Sequence, residues 1–315
     1  MPTDICPLCG GTQPDLYAVS EDIEYFTSAD KYRFLRCSSC DILFLSPMLY
    51  DRFGDIYPPN YYSFKPGKAG LVQQVKEAID RRMFRAVLGQ IPGPTLTILD
   101  VGGGTGWLLN SVKMSDPRPM VTQVVDIDPA AKHTAEQAGH RYFLGPIEKF
   151  ESSEKFDLIL MLNLIEHVRR PDEILGRARG LLSPDGLLLI KTPNFDALDA
   201  AIFRHRSWGG YHTPRHFVLF NRESFRRVAE AQGFDVVSFA YTQGAPFWTV
   251  SVLNELRLMG LIDISRERPL IYHPLVPLVQ ALFAGFDFIR GPFTKLSQML
   301  FALKPNRSRT WGTAN

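Results

Sequence analysis

The stretch Asp100-Val101-Gly102-Gly103-Gly104-Thr105-Gly106 follows a short apolar run at residues 95–99 and precedes a helical pattern that opens at residue 107. Strand, glycine turn and helix in this order form the context in which a glycine motif indicates a ligand site. Glycines allow positive φ and a close approach of the main chain to a ligand. The free N–H groups at the helix start favour polar ligand groups. The stretch therefore predicts a site for a nucleotide-like molecule.

Strand-like and helix-like segments alternate from residue 95 to about residue 240. The strands are predicted at 95–101, 121–126, 140–144, 156–162 and 186–192, and the helices at 107–114, 129–138, 171–182 and 222–232. This order predicts an α/β fold, a Rossmann-like, doubly wound and mostly parallel sheet. Ligands of such sheets bind beyond the carboxyl ends of the strands, so the loops that follow the strands are the candidate sites.

The length of 315 residues fits about two domains of ~100–200 residues each. The predicted segments are a zinc-ribbon-like domain at 1–46, an aromatic linker and helix at 47–94, a ligand-binding domain at 95–243, and a helical C-terminal cap or interfacial segment at 244–315. The net charge of +2 argues against a large nucleic-acid surface. No signal-peptide pattern opens the sequence, so a cytoplasmic location is expected.

Four cysteines lie in the first forty residues as two Cys-x-x-Cys pairs, Cys6 with Cys9 and Cys37 with Cys40. Two such pairs are the pattern of a zinc site, because each turn directs two thiolates to one point. Redox pairs and disulfides are the alternatives, and neither explains two paired turns in a chain without a secretory signal. The sequence therefore predicts a structural Zn²⁺ ion held by four sulfur atoms.

Polar residues appear abruptly where the predicted strands end. Asp126 closes the second strand, about 20 residues after the glycine turn, where a carboxylate suits ribose hydroxyls. Asp128 precedes Pro129 and fits a helix N-cap instead. After the fourth strand, Glu166 and His167 follow an apolar run, and an imidazole there can act as a general base. A histidine that merely braces its loop is the alternative.

A second polar loop precedes the last predicted helix of the domain. It contains Tyr211, His212 and His216 between glycines, prolines and aromatic residues. Loops on a rigid scaffold often carry function, so this segment is a candidate substrate lid, although a solvated surface loop would have a similar composition. His216 directly precedes an apolar anchor and is expected to be the better fixed of the two histidines. His167 and His216 are the leading candidate bases, with His212 and Tyr211 behind them.

These motifs together resemble the class I S-adenosylmethionine-dependent methyltransferases. Asp100-x-Gly102-x-Gly104-x-Gly106 matches that family's first motif, whereas a dinucleotide fingerprint has Gly-x-Gly-x-x-Gly spacing. Residues 163–168 are similar to the motif after strand four in ubiquinone-type O-methyltransferases. Residues 214–220 are similar to a bacterial branch with an N-terminal zinc knuckle, in which some members methylate sugars at carbon. That branch has an acidic residue before the loop histidine, where this chain has Arg215.

The resemblance implies S-adenosylmethionine as the cofactor. Asp100 would hold its amino group, directly or through water, and Asp126 its ribose hydroxyls, while Ile147 would touch the adenine. The remaining residues placed at the cofactor by the resemblance are Gly102, Gly104, Gly106 and Asn163. The expected function is methyl transfer to oxygen or carbon of a small-molecule or glycan acceptor, assisted by histidine. The alternatives are a non-catalytic or RNA-binding zinc-ribbon protein with this fold, and another nucleotide-binding enzyme such as a dehydrogenase.

The segment at 246–303 is apolar but interrupted by prolines and Asp287. A membrane-spanning helix needs about 20 mostly apolar residues in a row, so a span is not expected. Two interpretations stay open for this segment. It forms a helical cap packed over the site, or it forms an interfacial segment that, with the basic tail after residue 303, gives peripheral contact with the inner face of an anionic membrane.

Overall fold

The fold is taken from a computed structural model, which describes residues 4–58, 61 and 71–306. The strands of these parts of the chain are β1 (Asp15–Ser20), β2 (Tyr32–Arg36), β3 (Leu43–Ser46), β4 (Leu96–Val101), β5 (Pro119–Asp126), β6 (Arg141–Leu144), β7 (Phe156–Leu162), β8 (Leu182–Pro193), β9 (Val218–Leu219), β10 (Phe234–Thr242) and β11 (Gln298–Pro305). The α-helices are α1 (Phe53–Ile56), α2 (Leu71–Leu88), α3 (Trp107–Ser115), α4 (Pro129–Gln137), α5 (Pro171–Leu181), α6 (Leu198–Ile202), α7 (Arg222–Ala231), α8 (Ala245–Leu258) and α9 (Val276–Arg290).

The larger sheet of the described residues runs in the order β10-β11-β8-β7-β4-β5-β6. The pairs from β8 to β6 are parallel, and β11 is antiparallel to both β8 and β10. The predicted Rossmann-like, mostly parallel sheet is confirmed. Its central strands are apolar along most of their length because helices cover both faces, which is typical of parallel sheets. The predicted strands and helices of this domain agree with the observed ones to within a few residues.

The smaller sheet joins the N-terminal segment to the loop that carries two of the histidines. It runs in the order β1-β2-β3-β9, and β9 comes from residues just after His216. The backbone N–H of Leu45 also donates to the carbonyl of Phe217 over 2.9 Å. The N-terminal segment is therefore connected by main-chain hydrogen bonds to the polar loop at 209–216.

The C-terminal part of the chain differs from the predicted division at 243/244. Strand β11 lies inside the large sheet, between β10 and β8, although it belongs to the segment predicted as a cap. The helical part, with α8 and α9 packed together, is an insertion between two adjacent antiparallel strands. Sequence periodicity alone could not place β11. The position of a strand in a sheet depends on the strands with which it pairs, and not only on its own residue pattern.

Candidate functional site

The site lies where the order of the parallel strands reverses. β4 pairs with β5 on one side and with β7 on the other, so the loops after β4 and β7 diverge from neighbouring strand ends. Open α/β sheets bind ligands in the crevice at such a switch point. The glycine turn follows β4 and the segment 163–168 follows β7. The structure thus brings the glycine turn and the segment 163–168 to the same edge of the sheet.

The glycine turn has the backbone geometry that only glycine tolerates. Gly106 has φ +76°, and a Cβ there would lie 2.4 Å from a ring carbon of His140. Gly103 passes directly over the carboxyl of Asp100, where a Cβ would lie 2.6 Å from Oδ2. Gly102 is exposed, and nothing lies within 4 Å of the position that a Cβ of Gly104 would occupy. The outer face of the turn is therefore open to a ligand.

Asp100 is buried beneath this turn with an unsatisfied oxygen. Its Oδ2 has no hydrogen-bond partner among the described residues. Burial, and then the nearby charge of Asp126, raise the pKa of this carboxyl well above its usual range. A buried acceptor without a donor is costly, so the structure has a place for a donor at this point. An ammonium group, or a water molecule held by one, would supply it.

Asp128 caps a helix as predicted, whereas Asp126 keeps acceptor positions that no protein group occupies among the described residues. Asp126 is partly exposed, and its two oxygens accept from the N–H groups of Gly104 over 2.7 Å and Asp128 over 2.9 Å. A carboxylate has about four acceptor positions, so two remain for ligand hydroxyls. Burial raises the pKa of Asp126. Asp128 accepts from the N–H of Ala130 and caps α4, with Pro129 in the first turn.

The predicted adenine contact, Ile147, is largely buried. Ile147 is only 4% exposed and packs in the core, whereas Ile127, which follows Asp126 directly, is 49% exposed. Ile147 therefore has little surface to offer a ligand, and Ile127 is an exposed apolar side chain beside Asp126. Asn163 is exposed with φ +58°, and the neighbouring Leu164 packs against Gly102. Together with the open turn and the unsatisfied Asp100, these residues fit S-adenosylmethionine.

Three histidines from two loops meet beside this crevice. The ring centroids of His167 and His216 are 4.6 Å apart, those of His212 and His216 are 4.9 Å apart, and those of His167 and His212 are 6.0 Å apart. In the sequence, His167 precedes His212 and His216 by more than forty residues. The structure therefore joins the two predicted candidate loops into one cluster, which we call the histidine cluster, formed by His167, His212 and His216.

Carbonyl and carboxylate acceptors orient the three rings. Nδ1 of His216 donates to the carbonyl of Gly210 over 2.9 Å, and Nδ1 of His167 lies 3.1 Å from the carbonyl of Arg215. Because carbonyls only accept, these Nδ1 atoms carry the proton and the Nε2 atoms have free lone pairs. Burial, and then His212, lower the pKa of His167 to about 3, and burial, and then His167, lower that of His216 well below its usual value. Both rings are neutral near pH 7.

Glu166 lies beneath the cluster and is fully buried. Its Oε2 accepts from the hydroxyl of Thr192 over 3.1 Å, and its Oε1 has no hydrogen-bond partner within the described residues. Oε1 lies 4.0 Å from Nε2 of His216. Burial raises the pKa of Glu166 to about 8. Glu166, His167 and His216 each place one donor atom within 4.8 Å of the others, so these three could also hold a metal ion.

The N-terminal segment and the aromatic linker after it supply further partners of the cluster. Glu24 accepts from Nδ1 of His212 over 2.6 Å, and Tyr61 donates its hydroxyl to Nε2 of the same ring over 3.0 Å. The hydroxyl of Tyr57 lies 2.9 Å from Nδ1 of His167. In the sequence, Glu24 reads as one of several charges that offset nearby lysine and arginine. The aromatic composition of the linker was the only available signal for the tyrosines.

Arg215 and Tyr211 have structural roles here. Arg215 is fully buried and pairs with Asp22 over 2.9 Å, and its charge and hydrogen bonds outweigh burial and hold the pKa of Asp22 below its usual value. Tyr211 is a predicted candidate base, but it donates its hydroxyl to the carbonyl of Arg204 and stacks its ring on Phe34. Burial raises the pKa of Tyr211, which makes its phenolate still less accessible. The geometry therefore argues against a role for Tyr211 in proton transfer.

The four cysteines meet at one point. Sγ of Cys6 lies 3.5 Å from Sγ of Cys40, Sγ of Cys9 lies 3.4 Å from Sγ of Cys37, and all four sulfurs lie within 4.8 Å of one another. A tetrahedral zinc ion with ~2.3 Å bonds requires sulfurs roughly 3.8 Å apart, close to these spacings. The four thiols form no disulfide. The donor set fits Zn²⁺.

Both cysteine turns have the same backbone design. The N–H of Gly10 donates to the carbonyl of Cys6, and the N–H of Asp41 donates to the carbonyl of Cys37. The residue after the second cysteine has positive φ in both turns, +71° at Gly10 and +59° at Asp41. A non-glycine residue with positive φ is uncommon, and aspartate is among those that tolerate it. The two halves of the site are therefore matched in geometry although only one has the glycine.

A model of the family described as "Methyltransferase domain" matches residues 72–239, more than half of the chain. The chain belongs to this family. The ubiquinone biosynthesis O-methyltransferase of Rhodopseudomonas palustris (strain BisA53) is 30% identical over 189 residues, which are 53% of this chain and 71% of that protein. The residues matched by the family model, 72–239, contain the glycine turn, Asp126 and the segment at 163–168. The predicted membership of the class I S-adenosylmethionine-dependent methyltransferases is thus confirmed.

Other similar proteins cover less of the chain or are more distant. The ubiquinone biosynthesis O-methyltransferase of Bradyrhizobium sp. (strain ORS 278) is 33% identical over 107 residues, 31% of this chain and 40% of that protein. The match with this chain thus spans less than half the length of that relative. The solved structure of the plantazolicin methyltransferase BpumL in complex with SAH is 15% identical, covers 74% of this chain and 84% of that chain, and has a TM-score of 0.47. That similarity is too low for a comparison of sites.

Proposed function

We propose that the protein transfers a methyl group from S-adenosylmethionine to a hydroxyl or an acidic C–H group of a small-molecule or glycan-type acceptor. The observation that carries the proposal is that the open glycine turn follows β4, while His167, whose ring contacts His216, follows the adjacent parallel strand β7. A donor on the turn and an acceptor at the cluster would then be neighbours, and alignment of the two reacting groups is the main requirement of the reaction. The similarity to ubiquinone biosynthesis O-methyltransferases supports an oxygen acceptor.

The cofactor would be held by residues of the first two strand ends. Asp100 would receive the amino group, directly or through water, and the turn from Gly102 to Gly106 would line the methionine part. Asp126 would bind the ribose hydroxyls with its two remaining acceptor positions, and Ile127 would pack on the adenine. Asn163 would border the cofactor from the loop after β7. When bound, S-adenosylmethionine supplies an electrophilic methyl group on a sulfonium sulfur.

His216 is the base that the geometry favours. Its Nδ1–H is fixed by Gly210, so the lone pair of Nε2 is available, and Nε2 has no hydrogen-bond partner within the described part of the chain. Nε2 would take the proton of the acceptor as the acceptor's oxygen or carbon takes the methyl group. The imidazolium formed would be stabilised by Glu166, 4.0 Å away, in the fraction of molecules in which this carboxyl, with a pKa of about 8, is ionised. Proton transfer of this kind contributes roughly 10²–10⁴-fold to a rate.

His212 is placed to position the cluster rather than to take the acceptor's proton. Both of its ring nitrogens have partners, Glu24 and Tyr61. His167 is held by Arg215 and Tyr57 and presents its Nε2 beside His216. We therefore assign proton transfer to His216, with His167 as the second candidate and His212 as a positioning residue.

The four cysteines are proposed to hold a structural Zn²⁺ ion. A closed four-sulfur site has no open coordination position, so its role is to stabilise the fold of the N-terminal segment. This segment supplies Glu24 to the histidine cluster, which gives zinc an indirect role in activity. The near-neutral net charge of the chain supports a small acceptor rather than a nucleic acid. A cytoplasmic location fits free, reduced thiols.

Replacement of Asp126 by alanine is expected to weaken binding of S-adenosylmethionine. Hydrogen bonds to a charged group contribute about 1.5–3 kcal/mol, so Kd should rise roughly 10- to 150-fold. Isothermal titration of the wild type and D126A with S-adenosylmethionine measures this change, and titration with NAD tests the dehydrogenase alternative. Asp128→Ser, which keeps a helix N-cap two residues away, is the matched control and should bind as the wild type does. Tight binding of NAD, or an unchanged Kd in D126A, would contradict the cofactor assignment.

The acceptor can be found with radiolabelled cofactor. The protein is incubated with methyl-labelled S-adenosylmethionine and fractionated cell extract, and the labelled fraction is identified. The proposal expects label in small molecules or glycans. Label confined to RNA or protein would contradict the proposed acceptor class. Addition of a divalent metal should leave transfer unchanged if His216 is a base, whereas stimulation of transfer by the added metal would point to ligation by Glu166, His167 and His216.

A further inference from the structure

The outer face of α9 is apolar and exposed. Leu278, Leu282 and Ile289 share one side of the helix at i, i+4 and i+11 spacing, and their exposed fractions are 69%, 66% and 73%. Phe288 and Phe293 beside them are 84% and 85% exposed. Soluble proteins rarely leave so many large apolar side chains in water at one place.

The charged residues of α9 do not reach this face. Asp287 and Arg290 are both buried and pair with each other over 2.8 Å, and Asp287 also accepts from the N–H of Gly244. The inner face packs against α8, where Trp248 stacks on Phe283 with ring centroids 4.8 Å apart. The helix is therefore anchored by its polar and aromatic inner side, and the apolar outer side is not needed to hold it in place.

The charge of the chain points to the partner of this face. From Arg257 onward the sequence carries eight lysine or arginine residues and three acidic residues, whereas the rest of the chain carries 27 basic and 30 acidic residues. A positive segment with an exposed apolar helix is complementary to an anionic lipid surface, because basic groups are attracted to lipid phosphates while apolar groups enter the acyl boundary. A second copy of this chain would place two basic segments against each other.

The length of α9 limits how this helix can be oriented in a membrane. Its 15 residues are roughly 22 Å long, shorter than the ~30 Å hydrocarbon core of a bilayer. None of the described helices combines the length and apolarity that crossing a membrane requires. A helix of this length with one buried, anchored side fits the plane of the membrane interface instead. We propose that α9 docks the protein on the surface of an anionic membrane.

The docking surface is connected to the histidine cluster through the cap. Leu270 and Val250 of the cap pack with Ile23, and the N–H of Leu270 donates to the carbonyl of Glu24 over 3.2 Å. Glu24 holds His212. The N–H of Gly209, at the start of the histidine loop, donates to Ser251 of α8. The cap that would meet the lipid therefore contacts both sides of the proposed acceptor site. This placement suits an amphiphilic or lipid-linked acceptor.

Flotation with vesicles tests the proposal without any need for methyl transfer. The wild type is mixed with vesicles of phosphatidylcholine and phosphatidylglycerol, and with vesicles of phosphatidylcholine alone. We expect the protein to float with the anionic vesicles, less with the neutral ones, and less at high salt. The double variant Phe288→Glu/Ile289→Glu should lower the bound fraction roughly tenfold or more, since interfacial binding scales with buried apolar area. Arg266→Glu should weaken binding to the anionic vesicles only.

Two controls keep the result interpretable. Met120→Glu changes an equally exposed apolar residue in β5, outside the cap, and should float like the wild type. Thermal unfolding and binding of S-adenosylmethionine should be unchanged in F288E/I289E, because both side chains are exposed. Wild-type protein that stays unbound, or binding that survives F288E/I289E, would overturn the proposal. So would light scattering that shows a dimer dissociated by F288E/I289E, with no flotation of the wild type.

Discussion

Replacing His216 by glutamine is expected to lower kcat by roughly 10²–10⁴-fold while the Kd for S-adenosylmethionine stays unchanged. The carbonyl of Gly210 fixes the Nδ1–H of the His216 imidazole, and its Nε2 lies 4.0 Å from the buried carboxyl of Glu166. Glutamine keeps a polar side chain of similar size but cannot take up the acceptor's proton. Single-turnover methyl transfer measures the chemical step, and calorimetry measures cofactor binding in the same variant.

The matched control for this prediction is His133→Gln, which changes an exposed histidine on α4. H133Q should keep wild-type turnover and cofactor affinity. His167→Gln tests the second candidate base, and a larger loss of kcat in H167Q than in H216Q would exchange the two roles. Full turnover in both variants would remove histidine from the mechanism.

The pH profile gives a second readout of the same assignment. Burial lowers the pKa of both leading histidines, to about 3 for His167. A base is lost as the pH falls through its pKa, so the acid limb of kcat should lie well below pH 6.5, where an ordinary histidine titrates. A loss of kcat centred near pH 6.5 in the wild type would instead indicate an exposed base elsewhere.

Replacing Cys37 by serine is expected to release the zinc ion and unfold the N-terminal segment. Structural zinc sites contribute about 10–16 kcal/mol of apparent binding energy in small zinc domains, and a site reduced to three sulfurs holds the metal far less tightly. Bound zinc measured by mass spectrometry should fall from one ion per chain in the wild type to a small fraction in C37S. Methyl transfer should fall with it, because Glu24 would no longer hold His212.

The cofactor site offers an internal check on this second prediction. Asp100, Asp126 and the glycine turn belong to the large sheet, so C37S should still bind S-adenosylmethionine while losing transfer. Ser39→Ala, in the same turn and exposed, is the control variant and should retain zinc and activity. Zinc content and turnover that both survive in C37S would contradict a four-sulfur site.

Much of the central domain could be predicted from sequence because its signals are local. The strand from 156 to 162 is predicted with the bounds that the structure has, since an apolar run between polar segments has one compatible position in a parallel sheet. The glycine turn and the N-cap at Asp128 likewise depend on backbone rules that act over a few residues. Two Cys-x-x-Cys pairs suffice to predict that four thiols meet.

The sequence could not predict which residues meet in the histidine cluster. Glu24 and His212 are 188 residues apart, and their contact depends on how β3 pairs with β9. Tertiary packing likewise decided the exposure of the two isoleucines, since it buries Ile147 and leaves Ile127 at the surface. The exposed side of α9 was similarly set by which face α8 covered.

The sequence by itself determined the elements whose information is local: the glycine turn, the acidic strand ends, the cysteine turns and the alternation that makes a parallel sheet. The tertiary structure alone decided which distant side chains meet, because those contacts follow from strand pairing and from burial, and neither is encoded in a short window. It thereby brought His216 next to Glu166, packed Tyr211 against Phe34, and left one face of α9 in solvent.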